Sequence, residues 1–246
     1  MAKNKWFGTD GVRGVANEFP MTAEFALKLG MAAAELVCTK YKKAAIAKDT
    51  RISGDMLEAA LVAGFTAKGI DVVCLGIIPT PAVTTFVSDL GVDMAVMITA
   101  SHNPYQDNGI KLIAKTGDKF ADETTAALEA LIEKNEFNFD KDKIGRVTAD
   151  NSIKEKYEQI ALQMFSKTGS LKGMKIVADC ANGCFSNILP GVLRQLGAEV
   201  VVIGAAPDGY NINRDCGSQH VEAMLAEVKK QNADLGIAVD GDGDRI

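Results

Sequence analysis

Histidine is scarce in this chain, with two residues in 246, and the five cysteines include a single close pair, Cys180 and Cys184. Structural zinc draws on a second such pair or on closely spaced histidines, so the composition argues against a zinc site. The number of cysteines is odd, and several of them (the others are Cys38, Cys74 and Cys216) lie inside apolar runs. That is the pattern of buried, reduced thiols in a reducing cytosol. Nor is there an excess of positive charge: 27 Lys and Arg face 32 Asp and Glu, for a formal net charge of -5. General affinity for nucleic acid depends on clustered Lys and Arg and is not expected. A small phosphorylated ligand needs only local positive charge and stays open. No apolar run approaches the ~18 residues of a membrane span. The opening segment Met1-Ala-Lys-Asn-Lys-Trp-Phe-Gly8 has no apolar signal core, and low-complexity tracts and short-period repeats are lacking. The expectation is a soluble, cytoplasmic protein with neither membrane nor nucleic acid among its partners.

What is present is an alternation of helix-like and strand-like segments, in a length that allows two domains with a core each. Apolar residues recur at helical spacing from Thr22 to about Lys40, over Gly54–Lys68, from Pro79-Thr80-Pro81 to about Leu90, and over Ala121–Lys134. Between them Ala44–Ala47, Asp71–Leu75 and Met94–Thr99 read as strands. Asn108-Gly109 is a strong turn signal, after which Ile110–Ala114 reads as a strand returning antiparallel beside Met94–Thr99. Residues 135–151 are polar and weakly periodic, the best place for a domain boundary. Beyond it, helices over Ile153–Phe165, Phe185–Leu196 and His220–Gln231 alternate with strands over Lys175–Asp179, Glu199–Ile203 and Leu235–Val239. Pro190 and Gly191 should bend or interrupt the second of these helices. The fold class expected is α/β: two domains, 1–150 and 151–246, each a mostly parallel (mixed) sheet covered by helices.

Three constellations carry chemistry. Asp240, Asp242 and Asp244 are separated by single glycines and followed by Arg245. In extended chain this spacing projects all three carboxylates to one side, and a hard divalent cation takes several oxygen ligands. Leu235–Val239 before them reads as a buried strand, which would place the carboxylates at a strand's C-terminal end, where open α/β sheets bind ligands. A polar turn is the alternative. An EF-hand is excluded, because its sixth position calls for glycine and here holds Arg245. The second constellation, Thr99-Ala-Ser-His-Asn-Pro104, presents Ser101 just past a buried strand in a loop stiffened by Pro104. The Gly-x-Ser-x-Gly elbow is absent, and adjacency to His102 does not make a dyad, so acyl transfer is not expected. A serine in a polar turn is often structural. Beside a metal site, Ser101 becomes a candidate phosphoryl carrier, since phosphoserine oxygens can bridge to a divalent ion.

The third is Phe7-Gly-Thr-Asp-Gly-Val-Arg-Gly14, in which glycines permit close backbone approach and Arg13 offers a forked donor for phosphate. It lacks the Walker A Gly-Lys-Ser/Thr and a preceding strand, so a simple glycine-rich turn is the competing reading. Lys111 would bring an ammonium near Ser101 if the flanking strands pair; otherwise it is a solvated strand lysine. Asp49 and Arg51 either bind substrate or pair with each other.

Taken together, Phe7–Gly14, Ile77-Ile-Pro-Thr-Pro81, Thr99-Ala-Ser-His-Asn-Pro-Tyr105, Asp107-Asn-Gly-Ile-Lys111, Cys216-Gly-Ser218 and Asp240-Gly-Asp-Gly-Asp-Arg245 resemble the motifs of the α-D-phosphohexomutase superfamily. They are most similar to those of the bacterial phosphoglucosamine mutases and run the length of the chain in the family's order. Phe7-Gly-Thr-Asp10 and Tyr105 favour glucosamine phosphate over glucose or mannose phosphate. The resemblance implies that Ser101 is the phosphorylated residue. It also implies one Mg²⁺ per chain on Asp240, Asp242, Asp244 and the phosphate of Ser101, with Arg13 and Arg245 facing that phosphate. His102 and Lys111 would assist proton handling or charge stabilisation. The implied reaction interconverts glucosamine 6-phosphate and glucosamine 1-phosphate through a 1,6-bisphosphate. The priming donor would be glucosamine or glucose 1,6-bisphosphate, and a homodimer is left open.

The family has four domains, of which this chain matches the first two, with the closing hairpin of the second expected to be missing. The sugar-recognition and distal phosphate-binding loops belong to the other two, so the chain alone is expected to lack mutase turnover. Asn213-Arg-Asp-Cys216 departs from the Asn-rich form of the family. Two other readings stand beside this one: the same chemistry on glucose or mannose phosphate, and a non-catalytic Mg²⁺- or Ca²⁺-binding module or partner subunit of a larger assembly.

Overall fold

The computed structural model describes residues 5–167 and 169–246. A six-stranded sheet comprises β1 (Val12–Val15), β2 (Lys43–Lys48), β3 (Asp71–Ile77), β4 (Met94–Ile98), β5 (Asp107–Ala114) and β6 (Val147–Ala149), in the order β1-β5-β4-β2-β3-β6. Only β5 is reversed, pairing antiparallel with both β1 and β4; the other pairings are parallel. Side-chain alternation along the central strands explains their unbroken apolar character. Ile46, Val96 and Ile98 pack with α1 (Ala23–Leu36), α2 (Ser53–Ala67) and α4 (Asp122–Lys134) through Phe25, Leu29, Leu61, Phe65 and Leu128. The intervening Ala45, Ala47, Ala95 and Met97 pack on the opposite face with α3 (Thr80–Phe86) and the start of α5 (Ser152–Ser166), through Val83, Phe86 and Ile153. A sheet covered on both faces has no polar side to show.

The second sheet is wholly parallel: β7 (Lys175–Asp179), β8 (Glu199–Ile203) and β9 (Leu235–Ala238), in the order β8-β7-β9. Ile176 and Ala178 face Leu193 of α6 (Leu189–Gln195), while Val177 and Ala238 face Met224 of α7 (Glu222–Gln231). The α/β class and the single reversed strand agree with the sequence pattern, and β7 and β8 have the bounds it predicts.

Four local readings are corrected. Asn108 and Gly109 lie inside β5, paired with Gly14 and Arg13, and the turn falls earlier, between Thr99 and Gln106. Glycine is needed here for proximity, because a Cβ on Gly109 would stand 2.5 Å from the Thr99 carbonyl oxygen. The glycine-rich Phe7–Gly14 segment enters β1 at Val12 and is not a simple turn; separately, a short strand in the polar 135–151 stretch, β6, extends the first sheet beyond β3. The helix expected over Phe185–Leu196 is broken at Ile188: a 3₁₀ turn spans Cys184–Asn187, and Pro190 occupies the first turn of α6, where its missing N–H costs nothing. Finally, β9 is an edge strand, not a buried one, with Leu235 43% exposed.

All five cysteines are free, and burial pushes the thiols of Cys38 and Cys180 up to about 12 and that of Cys216 to about 11. No helix among the described residues is long and apolar enough to cross a membrane. The C-terminal ends of the two sheets meet along a polar seam. There the Thr50 hydroxyl donates to the Asn182 carbonyl at 2.6 Å, and the amides of Ile52 and Thr80 donate to the carbonyls of Gly209 (3.0 Å) and Asp242 (2.9 Å).

Candidate metal and phosphoryl-transfer site

Beyond β4 the chain turns through Thr99–Gln106 before returning as β5, and Ser101 sits in this turn with a left-handed backbone, φ 54°. Its amide donates to the Thr99 hydroxyl at 2.9 Å. The side chain is fully buried, and Oγ donates to Asp240 Oδ2 at 2.6 Å, joining residues 139 apart in sequence.

The loop after β9 is a turn, not the extended chain inferred from the spacing. The Gly243 amide donates to the Asp240 carbonyl (3.1 Å), and the amides of Asp244 and Arg245 donate to Asp240 Oδ1 (3.2 Å each). The carboxylates therefore converge by wrapping, with one oxygen from each of Asp240, Asp242 and Asp244 lying within 4.8 Å of the others. Gly241 allows this loop to reach Ser101, since a Cβ there would stand 2.8 Å from the Ser101 carbonyl oxygen.

Charge and hydrogen bonding around the three carboxylates are uneven. Lys111 Nζ lies 2.7 Å from Asp242 Oδ2 and 3.4 Å from Asp244 Oδ2. The Thr80 hydroxyl donates to the same Asp242 oxygen at 2.6 Å. Burial pushes the Asp242 carboxyl up, but Lys111 and Thr80 outweigh it and hold the group below the usual carboxylate range. Asp240 goes the other way: burial raises it, and the neighbouring charges of Asp242 and Asp244 add to that effect against the Ser101 hydrogen bond. Asp242 Oδ1 is buried and has no hydrogen-bond partner among the described residues. An orphaned carboxylate oxygen beside two further carboxylates is a donor set suited to a hard divalent cation, which takes oxygen ligands and compensates the excess negative charge. The residues present fit Mg²⁺. Thr80→Val removes a partner that orients one of these carboxylates and should weaken Mg²⁺ binding about 10–100-fold; calorimetric titration giving wild-type affinity would show that Thr80 plays no part.

The remaining sequence candidates gather around this centre. Arg245 approaches His102 Nδ1 at 2.8 Å, and a guanidinium only donates, so Nδ1 accepts and the ring proton resides on Nε2. Burial, with the charges of Arg245 and Arg13, pushes His102 down, which favours the neutral ring. His102 Nδ1 is 3.5 Å from Ser101 Oγ. Arg13, on β1, faces an adjoining cavity whose wall also carries Thr80, Lys111, Lys119, Asp244 and Arg245. Asp49 and Arg51 prove to pair with each other, Arg51 Nε to Asp49 Oδ2 at 2.9 Å with both side chains inaccessible, so neither reaches a substrate.

Sequence reasoning gave no role to Thr80, Lys119 or Asn213. Thr80 did carry a signal, standing between two prolines at the C-terminal end of a strand; Asn213 stands out only as the start of a stretch that departs from the family's form, and Lys119 carried none.

Fold and site together define an α/β protein with a serine-and-carboxylate centre at the C-terminal ends of two sheets, lined by cationic side chains suited to phosphate. Residues 4–139 match phosphoglucomutase/phosphomannomutase α/β/α domain I and residues 152–246 match α/β/α domain II, and the chain belongs to this family. It is similar to the phosphoglucosamine mutase of Phenylobacterium zucineum, 49% identical over 251 aligned positions that cover 100% of this chain and 56% of that protein. The phosphoglucosamine mutase of Actinobacillus pleuropneumoniae is 46% identical over 247 positions, with the same coverage. A solved structure of a phosphoglucomutase/phosphomannomutase family protein from Burkholderia thailandensis superposes with a TM-score of 0.82 at 26% identity, covering 100% of this chain and 54% of that one. The chain spans about half the length of the curated relatives it matches.

Proposed function

We propose that this chain carries the phosphoryl-transfer centre of a phosphohexomutase acting on glucosamine phosphate, with Ser101 as the carrier, in two domains divided near residue 150. The supporting observation is the meeting of Ser101 Oγ with the Asp240 carboxylate at 2.6 Å, within a carboxylate cluster that leaves Asp242 Oδ1 unpartnered. In the priming step Ser101 Oγ attacks a phosphorus of a hexose 1,6-bisphosphate. The Oγ–P bond forms as the sugar O–P bond breaks; the serine proton passes to Asp240 and from there to solvent, and the departing sugar oxygen takes one proton from water, so the protons balance. The reverse transfer to a hexose monophosphate regenerates the free serine. Bound to the three carboxylates, Mg²⁺ supplies positive charge for the phosphoryl oxygens. Arg13 and Arg245 provide forked donors for the same oxygens, and Lys111 holds Asp242 in place while adding a positive charge. The names of the relatives support glucosamine as the sugar; a panel of glucosamine, glucose and mannose phosphates on a protein of the relatives' length is the measure of that choice.

The chain is 56% of the length of the relatives that carry the mutase name, so uptake at Ser101, not turnover, is the quantity to follow. Incubation with Mg²⁺ and glucose 1,6-bisphosphate should add one phosphoryl group per chain, read by intact mass and located on the Ser101 peptide. Mg²⁺ binding without any such uptake would reject the carrier role and favour a metal-binding module.

A further inference from the structure

The left-handed turn at Ser101 directs the carbonyls of Ser101 and Asn103 inward, and two buried side chains collect them. Arg51 Nη2 donates to Ser101 O (3.0 Å) and Asn103 O (2.8 Å), while Nη1 donates to Asp107 O (3.0 Å) and to Pro104 O. With its Nε held by Asp49, Arg51 ties the serine turn to the first sheet. The second side chain comes from across the seam. Asn213, in the loop between β8 and α7, donates its carboxamide Nδ2 to the same two carbonyls, Ser101 O at 2.9 Å and Asn103 O at 3.1 Å. Asn213 is buried, has φ 57°, and is anchored in turn by its amide, which donates to the Ala181 carbonyl (2.8 Å) just past β7. Gly241 of the carboxylate loop packs against this junction, where a Cβ would be 2.9 Å from Asn213 Nδ2.

Arg51 fixes the serine turn relative to its own sheet but not relative to Asp240, which belongs to the other. Among the described residues, Asn213 is the one side chain from the second sheet's loops that hydrogen-bonds the backbone of the serine turn. We propose that Asn213 is a positioning residue: its carboxamide holds the Ser101 backbone at the distance and angle that place Oγ against Asp240. This inference rests on the carrier role of Ser101 and adds to it the device that aligns the carrier across the two sheets. A misplacement of about 1 Å at a reacting group costs on the order of 10²-fold in rate.

The test compares Asn213→Gly and Asn213→Asp with the wild-type chain. Glycine keeps the left-handed backbone and removes the donor; aspartate keeps size and backbone tolerance but sets an acceptor against two carbonyls. With Mg²⁺ and glucose 1,6-bisphosphate, both variants should phosphorylate Ser101 about 100-fold more slowly at saturation, with the half-saturating bisphosphate concentration little changed. In the metal-free chain the amide resonances of Ser101 and Asn103 should also shift. Wild-type rates and unshifted resonances would overturn the proposal, as would a lowered melting temperature with an unaltered rate, which would make the role purely structural. If the aspartate variant fails to fold, the glycine variant decides. A failure of the carrier reading is separately visible, because the wild-type chain would then take up no phosphoryl group, and the positioning role would fall with it.

Discussion

Ser101→Ala should abolish phosphoryl uptake from a hexose 1,6-bisphosphate while leaving the chain folded. The hydroxyl is the sole group lost, and its one strong contact is the 2.6 Å bond to Asp240. That carboxylate still accepts the amides of Asp244 and Arg245, so the loop keeps its shape. A hydrogen bond to a charged group contributes about 1.5–3 kcal/mol, well below the stability of an ordinary domain, so the variant should melt several degrees lower but cooperatively. Removing the hydroxyl also removes an influence that lowers the Asp240 carboxyl, which should rise further. Intact mass after incubation with glucose 1,6-bisphosphate and Mg²⁺ checks the expectation. Uptake by the alanine variant at the wild-type rate would assign the phosphoryl group to another residue.

Arg51→Met should be the most destabilising single change at the seam, costing about 3–5 kcal/mol, the range for removing one partner of a buried ion pair. Three consequences combine. Asp49 is left inaccessible without its partner, three carbonyls of the serine turn and that of Asp107 lose their shared donor, and methionine can replace neither the planar fork nor its hydrogen bonds. The pH dependence has a definite sign. Burial already holds the Asp49 carboxyl above the unfolded value against the charge of Arg51 and the Thr99 hydroxyl, and with Arg51 gone it should rise further. The folded variant then binds more protons than the unfolded chain, so its stability declines as pH rises above about 4, the unfolded carboxylate value. Denaturant melts of both proteins at pH 5 and pH 8 should show the larger deficit at pH 8. A loss under about 1 kcal/mol at both pH values would show that the guanidinium is not the organiser of the turn.

Much of the fold was legible because its signals are local. The apolar runs of β7 and β8, the helical spacing of α1 and the hydroxyl cap at Thr22, which accepts from the Phe25 amide at 3.2 Å, each concern residues within one or two turns of one another. Local signals also misled where a distant partner set the conformation. Asn108-Gly109 has the chemistry of a hairpin turn, yet pairing with β1 and the nearness of Thr99 make it strand. The segment around Arg13 looks like a flexible turn until β5 is available to pair with it. Pro190 reads as a helix interruption, but the break preceding it turns the same residue into a helix start.

At the site the division is similar. Residue type and spacing singled out Asp240, Asp242 and Asp244 as candidate ligands, because carboxylates spaced by glycine carry their chemistry with them, and made Ser101 a candidate once it was set beside them. The sequence by itself thus determined the α/β alternation and the candidate carrier and ligands. Tertiary structure alone decided that the carboxylates converge through a turn, that Asp49 and Arg51 pair with each other, and that Thr80, 162 residues from Asp242, steadies that carboxylate. It also decided that Asn213, 112 residues from Ser101, grips the serine turn. Spacing along the chain governs which side chains share a face over a few residues; which loops meet across a seam is set by how two separately built sheets pack at their strand ends, and no local pattern encodes that.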